Sequence, residues 1–202
     1  QRPTAVCPGT TWQLRTPEQV GLLGAKLDAL RDLVGGRGCV VRHGYMVYTW
    51  GDPAARSMVL SAAKPWISHF LLRAVEEGRI PSLDQKVSVW EPRLNSINAA
   101  LGYKDRDLTW RHMANQISGY GNKDKPGAAF NYNDYQMALL FDTLMYKVYG
   151  ATVDNVDQTV LYPKLTGPLQ CEDAPSFIGH ALRHAGLIHV SPRDFARFVL
   201  LY

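Results

Sequence analysis

The chain is poor in cysteine: Cys7, Cys39 and Cys171 are its three copies in 202 residues. None of them belongs to a C-x-x-C pair, and this argues against a zinc ribbon or a thioredoxin-like redox motif. A disulfide between Cys7 and Cys39 is one option that the spacing leaves open. Cysteine usage therefore does not fix the compartment of the protein.

Long apolar runs and dense blocks of one charge are also absent. The apolar stretches are short and interrupted by charged residues, so the sequence predicts no membrane span. The net charge is only +4, and the basic residues are scattered, which argues against a nucleic-acid partner. The G-x-S-x-G nucleophile elbow of α/β-hydrolases does not occur. With 46% hydrophobic and 20% charged residues, the composition is that of a folded domain.

Helix and strand signals alternate along the chain and predict a mixed fold. Thr16-Pro17-Glu18 is typical of a helix start, and the Gly35-Gly36 pair is typical of its stop. Two β-rich runs on either side of a His43-Gly44 turn predict a hairpin. Four further helices are expected from apolar periodicity and capping residues, over residues 61–78, 109–117, 134–150 and 191–201.

Ser61 and Lys64 stand three residues apart at the start of the clearest of these helices. On a helix, this spacing brings a hydroxyl and an amine to one face. A serine hydroxyl needs a neighbouring base, and an amine can serve when its surroundings disfavour the charged form. Pro65 limits the helix upstream, so Ser61 is expected at the helix N-terminus, where free N–H groups favour an anionic oxygen. Taken alone, the pair is more typical of a serine cap with a surface lysine.

Five segments in order along residues 20–202 resemble those of serine β-lactamases, DD-peptidases and the related esterases. They comprise a Ser-x-x-Lys helix start, three connecting blocks and a final Ser-x-x-Asp helix start. In this chain they are SAAK (61–64), LDQKVSVWEP (83–92), LTWRHMANQISGY (108–120), FNYND (130–134) and GLIHVSPRDFARF (186–198). By this resemblance the chain is identified as the N-terminal portion of a member of the family.

The resemblance implies an α+β fold of the β-lactamase/transpeptidase type, with a helical lobe and part of an antiparallel sheet. It also implies acyl transfer, with Ser61 as nucleophile and Lys64 as its partner. Tyr132, from the family's Tyr-x-Asn motif, would be a proton shuttle or general base. Without the resemblance, Tyr132 would be interpreted as a turn tyrosine packed over the following helix. No metal or organic cofactor is implied, and the expected partner is a small-molecule ester, amide or β-lactam.

Asp134 occupies the third position of that motif, where the family has asparagine. An asparagine both donates and accepts hydrogen bonds, whereas an ionised aspartate only accepts them. We therefore assign Asp134 a substrate-binding or orienting role toward Lys64, with a simple helix cap as the alternative. The substitution also leaves open a rival function, a catalytically silent homologue that binds a ligand or a partner.

The family's third motif, Lys-Thr-Gly or His-x-Gly on a later strand, has no match at the expected place. Lys164-Leu165-Thr166-Gly167 differs in spacing, and His184-Ala185-Gly186 precedes the wrong segment. From this gap we expect a fragment or one piece of a cleaved chain. From Gln1 in place of an initial Met we expect that a leader has been removed or the chain trimmed.

The same reasoning predicts the organisation of the chain. Residues 1–56 are expected to form a helix and hairpin of the sheet lobe, and residues 57–202 a mainly helical lobe, together making one structural unit. An extracytoplasmic location, periplasmic or secreted, is slightly favoured over a cytoplasmic one.

Three histidines form the remaining candidate site. His180 and His184 stand four residues apart with His189 nearby, a spacing that can bind zinc. No H-E-x-x-H pattern or acidic ligand accompanies them, so we predict solvated or core histidines and no metal site. A Ser-His-Asp triad stays compatible with the sequence because its members meet only in space.

Overall fold

A computed structural model describes residues 4–177 and 187–202 of the chain. His180 and His184, and with them the His-x-Gly letters at 184–186, lie outside the described residues. Backbone proximity divides the chain into two compact units. The first comprises Gln1–Val59, Leu161–Ser176 and Ile188–Tyr202, and the second comprises Leu60–Val160 and Phe177–Leu187. The predicted boundary after residue 56 stays a prediction.

The first unit begins with helix α1 (Gly24–Val34) and a hairpin of β1 (Gly38–Arg42) and β2 (Tyr45–Trp50). The two strands pair antiparallel. His43 and Gly44 have φ angles of 55° and 80°, as the two central residues of a type I′ turn require. The predicted hairpin is therefore confirmed.

A second, three-stranded sheet contains β3 (Ser57–Met58), β4 (Ser176–Phe177) and β5 (Ile188–Val190), in the order β3-β5-β4. Helix α5 (Pro192–Val199) follows directly. Its N-cap is Ser191, whose hydroxyl accepts a hydrogen bond from the Asp194 backbone N–H at 3.2 Å. The capped helix start that the sequence predicts at Ser191 is confirmed.

The second unit contains helices α2 (Lys64–Glu76), α3 (Trp110–Ala114) and α4 (Asp134–Asp142), connected by loops and short 3₁₀ turns. Their apolar stripes supply the core, because residues spaced by three and four positions share one helix face. The largest fully buried side chains of this unit include Trp66, Ile67, Phe70, Leu71, Trp110, Met113, Leu140 and Leu144. Helices together with antiparallel strands confirm the predicted α+β class.

Helix ends differ from the sequence prediction where a residue takes a left-handed conformation. The predicted N-terminal helix is broken at Gly21, with φ 75°, so a 3₁₀ turn (Glu18–Val20) precedes α1. The helix expected over residues 109–117 ends at Ala114, and Gln116 has φ 58°. Left-handed residues cannot continue a right-handed helix, and a glutamine gives no warning of this conformation.

All three cysteines are free thiols, so the optional Cys7–Cys39 disulfide is not formed. Burial raises the pKa of Cys39 to about 11 and that of Cys171 to about 12. Both thiols are therefore protonated at neutral pH and unreactive as nucleophiles. Among residues 4–177 and 187–202, no helix combines the length and the apolar character that a membrane crossing requires.

Gly44→Ala is expected to destabilise the first unit. An alanine Cβ would overlap the carbonyl oxygen of Val6, and the positive φ disfavours any L-residue. We expect the free energy of unfolding in urea to fall by about 2–4 kcal/mol.

Gly36→Ala is the matched control for that experiment. Gly36 also has a positive φ of 61°, but a Cβ there would meet nothing within 4 Å. It should lose only the conformational cost, about 1 kcal/mol. Equal losses for the two variants would contradict the steric explanation.

Candidate active site

Ser61 lies in a 3₁₀ turn, Leu60–Ala63, immediately before α2. The α-helix begins at Lys64 rather than at Ser61 as predicted, with Pro65 in its first turn. The turn is anchored by Ala63, which is 2% exposed, while Ser61 is exposed. Leu60 has φ 48°, an unfavourable conformation for a side chain of that type. The local backbone thus presents the Ser61 hydroxyl at the surface from a constrained turn.

Three polar side chains meet at this turn. Lys64 Nζ lies 3.2 Å from Ser61 Oγ and 2.8 Å from Tyr132 Oη, within hydrogen-bond distance of both. Ser61 Oγ and Tyr132 Oη also share a hydrogen bond. The structure therefore brings together all three residues that the sequence predicts as catalytic, although Tyr132 is 71 positions from Ser61.

The contact changes the acidity of the phenol. The hydrogen bond from Lys64 lowers the pKa of Tyr132 below its ordinary value, and the hydrogen bond with Ser61 adds to this effect. Tyr132 is 52% exposed, so solvent screens these contacts and weakens their effect on the pKa. A phenol with a lowered pKa is a better proton acceptor near neutral pH than a free tyrosine, because more of it is ionised.

Asp134 is placed differently from the other predicted residues. It is the first residue of α4, and the N-cap is Asn133, whose side chain accepts a hydrogen bond from the Gln136 N–H. The alternative that Asp134 caps the helix is therefore wrong. Within the described part of the chain, no hydrogen bond or ion pair joins Asp134 to Lys64. The negative charge of Asp134 raises the pKa of Tyr132. This effect is smaller than the lowering that Lys64 causes.

The remaining sequence candidates are the residues considered for the third motif and for a metal site. Lys164 to Thr166 belong to a π-helical segment, Asp157–Thr166, and Gly167 to the turn after it, so they do not form the strand-borne third motif. His189 lies in β5. Among the described residues, no cluster of three or more His, Cys, Asp or Glu side chains could hold a metal ion.

Sequence reasoning missed a group of buried polar side chains beside Tyr132. Gln136 and Ser118 are fully buried and Gln116 is 7% exposed. Gln136 Nε2 donates to Gln116 Oε1 at 3.0 Å, and Ser118 Oγ donates to Gln136 Oε1 at 2.6 Å. One signal was present: Gln136 stands four residues before Leu140, on the face of α4 that should be apolar.

Comparison with known proteins gives three results. The family model described as Beta-lactamase matches residues 24–201. No curated protein matches the chain. Many solved structures do match.

Three of these structures illustrate the likeness. A proposed 6-aminohexanoate-dimer hydrolase from Bacillus anthracis has a TM-score of 0.68 at 14% identity, over 98% of this chain and 62% of that one. A class C β-lactamase has a TM-score of 0.64 at 16% identity, over 86% and 61%. A β-lactamase/D-alanine carboxypeptidase from Pseudomonas syringae has a TM-score of 0.63 at 16% identity, over 86% and 63%. At these identities the likeness shows the fold, and the chain spans about three fifths of each protein.

Lys64→Met is expected to raise the pKa of Tyr132 toward that of a free tyrosine. The variant removes the hydrogen-bond donor that contributes most to lowering it. The measurement is an NMR titration with ¹³C-labelled tyrosine, with the Tyr132 signal assigned from Tyr132→Phe.

Lys147→Met is the control for charge loss in general, because Lys147 pairs with Glu91 instead. It should leave the Tyr132 titration unchanged. A Tyr132 midpoint that is the same in wild type and in Lys64→Met would show that the amine does not act on the phenol.

Proposed function

Because the chain belongs to the beta-lactamase family, we propose that it is a serine hydrolase that acts on an ester or amide through an acyl-enzyme. The observation that carries this proposal is the shared contact of Ser61 Oγ, Lys64 Nζ and Tyr132 Oη. Nucleophilic serine chemistry needs a proton acceptor in contact with the hydroxyl, and this geometry supplies one. The same contact supports an enzyme over the silent homologue.

In the acylation step, Ser61 Oγ attacks the substrate carbonyl carbon, and its proton passes to Tyr132 Oη. Lys64, in hydrogen-bond distance of both oxygens, stabilises the negative charge that develops during the transfer. The Ser61 backbone N–H is one donor to the oxyanion. When the tetrahedral intermediate collapses, the bond to the leaving group breaks, and the leaving alkoxide or amine receives the proton from Tyr132.

In the deacylation step, water attacks the acyl-enzyme carbonyl and gives its proton to the same phenol. Collapse then breaks the bond to Ser61 Oγ, and the proton returns to the serine. The carboxylic acid product leaves, and the three side chains are restored to their starting state. No metal or organic cofactor takes part in this scheme.

A narrow esterase with little β-lactamase activity is the subtype that we favour. Asp134 adds a negative charge close enough to Tyr132 to act on its pKa. β-Lactam antibiotics and peptide stems carry a carboxylate, which this charge would repel, whereas a neutral ester would be unaffected.

Ser61→Ala is expected to abolish both turnover of a fluorogenic ester and covalent labelling by a fluorophosphonate. The variant removes the only oxygen in the scheme that forms the acyl bond. Intact-mass spectrometry detects the adduct, and peptide mapping assigns it.

Ser96→Ala is the matched control, because Ser96 is an exposed serine of the same unit whose hydroxyl donates to the Arg93 carbonyl oxygen instead. It should label as wild type does. Labelling that survives in Ser61→Ala, or a wild type that neither labels nor turns over esters and a chromogenic cephalosporin, would overturn the proposal.

Tyr132→Phe is expected to lower kcat/KM by about 10²–10⁴-fold, the usual contribution of a general base. In the wild type, activity should rise with pH as the phenol loses its proton, and the lowered pKa of Tyr132 places this rise below the pH range of a free tyrosine. The variant should lose this limb of the pH profile. A limb that persists unchanged in Tyr132→Phe would assign the proton transfer to another group.

A further inference from the structure

We propose that Gln136, together with Gln116 and Ser118, is a positioning network that holds Tyr132 against Ser61 and Lys64; this inference rests on the proposed function. None of these three side chains touches the reacting oxygens. Gln136 and Gln116 act on the backbone on both sides of Tyr132, and Ser118 acts on the Gln136 side chain.

Gln136 is the centre of the network and uses its amide in three hydrogen bonds. Its Nε2 donates to the carbonyl oxygen of Asn131 at 2.6 Å and to Gln116 Oε1 at 3.0 Å. Its Oε1 accepts from Ser118 Oγ at 2.6 Å. Since the side chain is completely buried, each of these bonds forms in a region of low dielectric constant, where it is stronger than in water.

Gln116 fixes the two residues that flank Tyr132. Its carbonyl oxygen accepts from the Asn131 N–H at 2.8 Å, and its Oε1 accepts from the Asn133 N–H at 3.3 Å. Asn133 is also tied to α4, because its side chain caps the Gln136 N–H at 3.0 Å. The peptide groups before and after Tyr132 are therefore both clamped, and both clamps meet at the Gln116–Gln136 pair.

The need for such a clamp follows from the exposure of Tyr132 itself. Tyr132 is half exposed, so packing contributes little to its position. A loop residue in this situation is normally mobile, whereas proton transfer requires the oxygens to stay within hydrogen-bond distance. The buried amides supply the order that the exposed ring lacks.

A polar network in a core is costly unless every member is satisfied, and an apolar substitute is often equally stable. Gln136 satisfies its hydrogen bonds only when residues 131 and 133 take the observed conformation. The network therefore favours one arrangement of the loop over others, and that arrangement is the one in which Tyr132 Oη reaches Lys64.

Gln136→Met tests the inference, since it keeps the side-chain length and removes all three hydrogen bonds. Two independent quantities are measured on the folded variant. The Tyr132 titration by ¹³C NMR should shift toward higher pH, and the second-order rate of Ser61 phosphonylation should fall about 10–100-fold, as expected for a misplaced catalytic group. The KM for a neutral ester should stay within about threefold, because the Gln136 amide is completely buried and out of reach of a substrate.

Gln116→Met should shift both quantities in the same direction by a smaller amount, because the Gln116 carbonyl still binds the Asn131 N–H. Gln85→Met is the control, since Gln85 belongs to the same unit and accepts a hydrogen bond from Trp90 Nε1 instead.

If Gln136→Met does not fold, Ser118→Ala takes its place as the deciding variant. It removes one hydroxyl of the network.

Unchanged values of both quantities in the deciding variant would overturn the positioning role. The proposed function fails by a different result, a wild type that is not phosphonylated at Ser61. In that case the Tyr132 titration still decides whether the network holds the phenol in place.

Discussion

The hydrogen bonds that join the Ser61 hydroxyl, the Lys64 amine and the Tyr132 phenol are the interaction on which the functional interpretation depends. Each pair among the three is in contact, so a proton can pass from the hydroxyl to the phenol without a bulk water between them. Two of the groups are local, on one turn and the start of one helix. The third comes from a loop 71 positions away and is the member that the rest of the fold must hold in place.

The two halves of this contact are stabilised by different physics. Ser61 and Lys64 are fixed by apolar burial, because α2 is anchored by Trp66, Ile67 and Phe70 in the core. Tyr132 has no such anchor, and its place is set by polar groups instead. A buried ion pair extends this polar support: Lys104 Nζ bonds to Asp105 at 2.7 Å and to the Gly119 carbonyl at 2.8 Å, next to Ser118. Removing one partner of such a buried pair costs more free energy of unfolding than the intact pair contributes, because the other charge is left unpaired.

The sequence predicts those parts of the fold that depend on short-range rules. The His43-Gly44 hairpin turn, the stop at Gly35 and the cap at Ser191 all follow from the conformational preferences of a few adjacent residues. The contact of Ser61 with Lys64 follows from helical spacing, and Tyr132 was found only through the family resemblance. The left-handed Gln116 was not predictable, because its carbonyl and its side chain bond to the distant residues Asn131 and Gln136. Asn133 and Asp134 are both common capping residues, so local preference alone does not decide between them. A buried Gln136 leaves a faint signal in the apolar pattern, but nothing local identifies its partners.

Asp134 shows how one departure from the family pattern alters the balance of the site. An asparagine at this position would be neutral, whereas the aspartate places a negative charge near a phenol that, in the proposed mechanism, is ionised when it accepts a proton. Lys64 lowers the pKa of Tyr132 and Asp134 raises it, and the lysine has the larger effect because it bonds to the phenol directly. The phenol therefore stays more acidic than a free tyrosine, but less so than it would be beside a neutral residue. In the proposed mechanism, the aspartate therefore moves the working range of the tyrosine base toward higher pH and disfavours anionic substrates, so a single charge would constrain both the pH dependence and the substrate class.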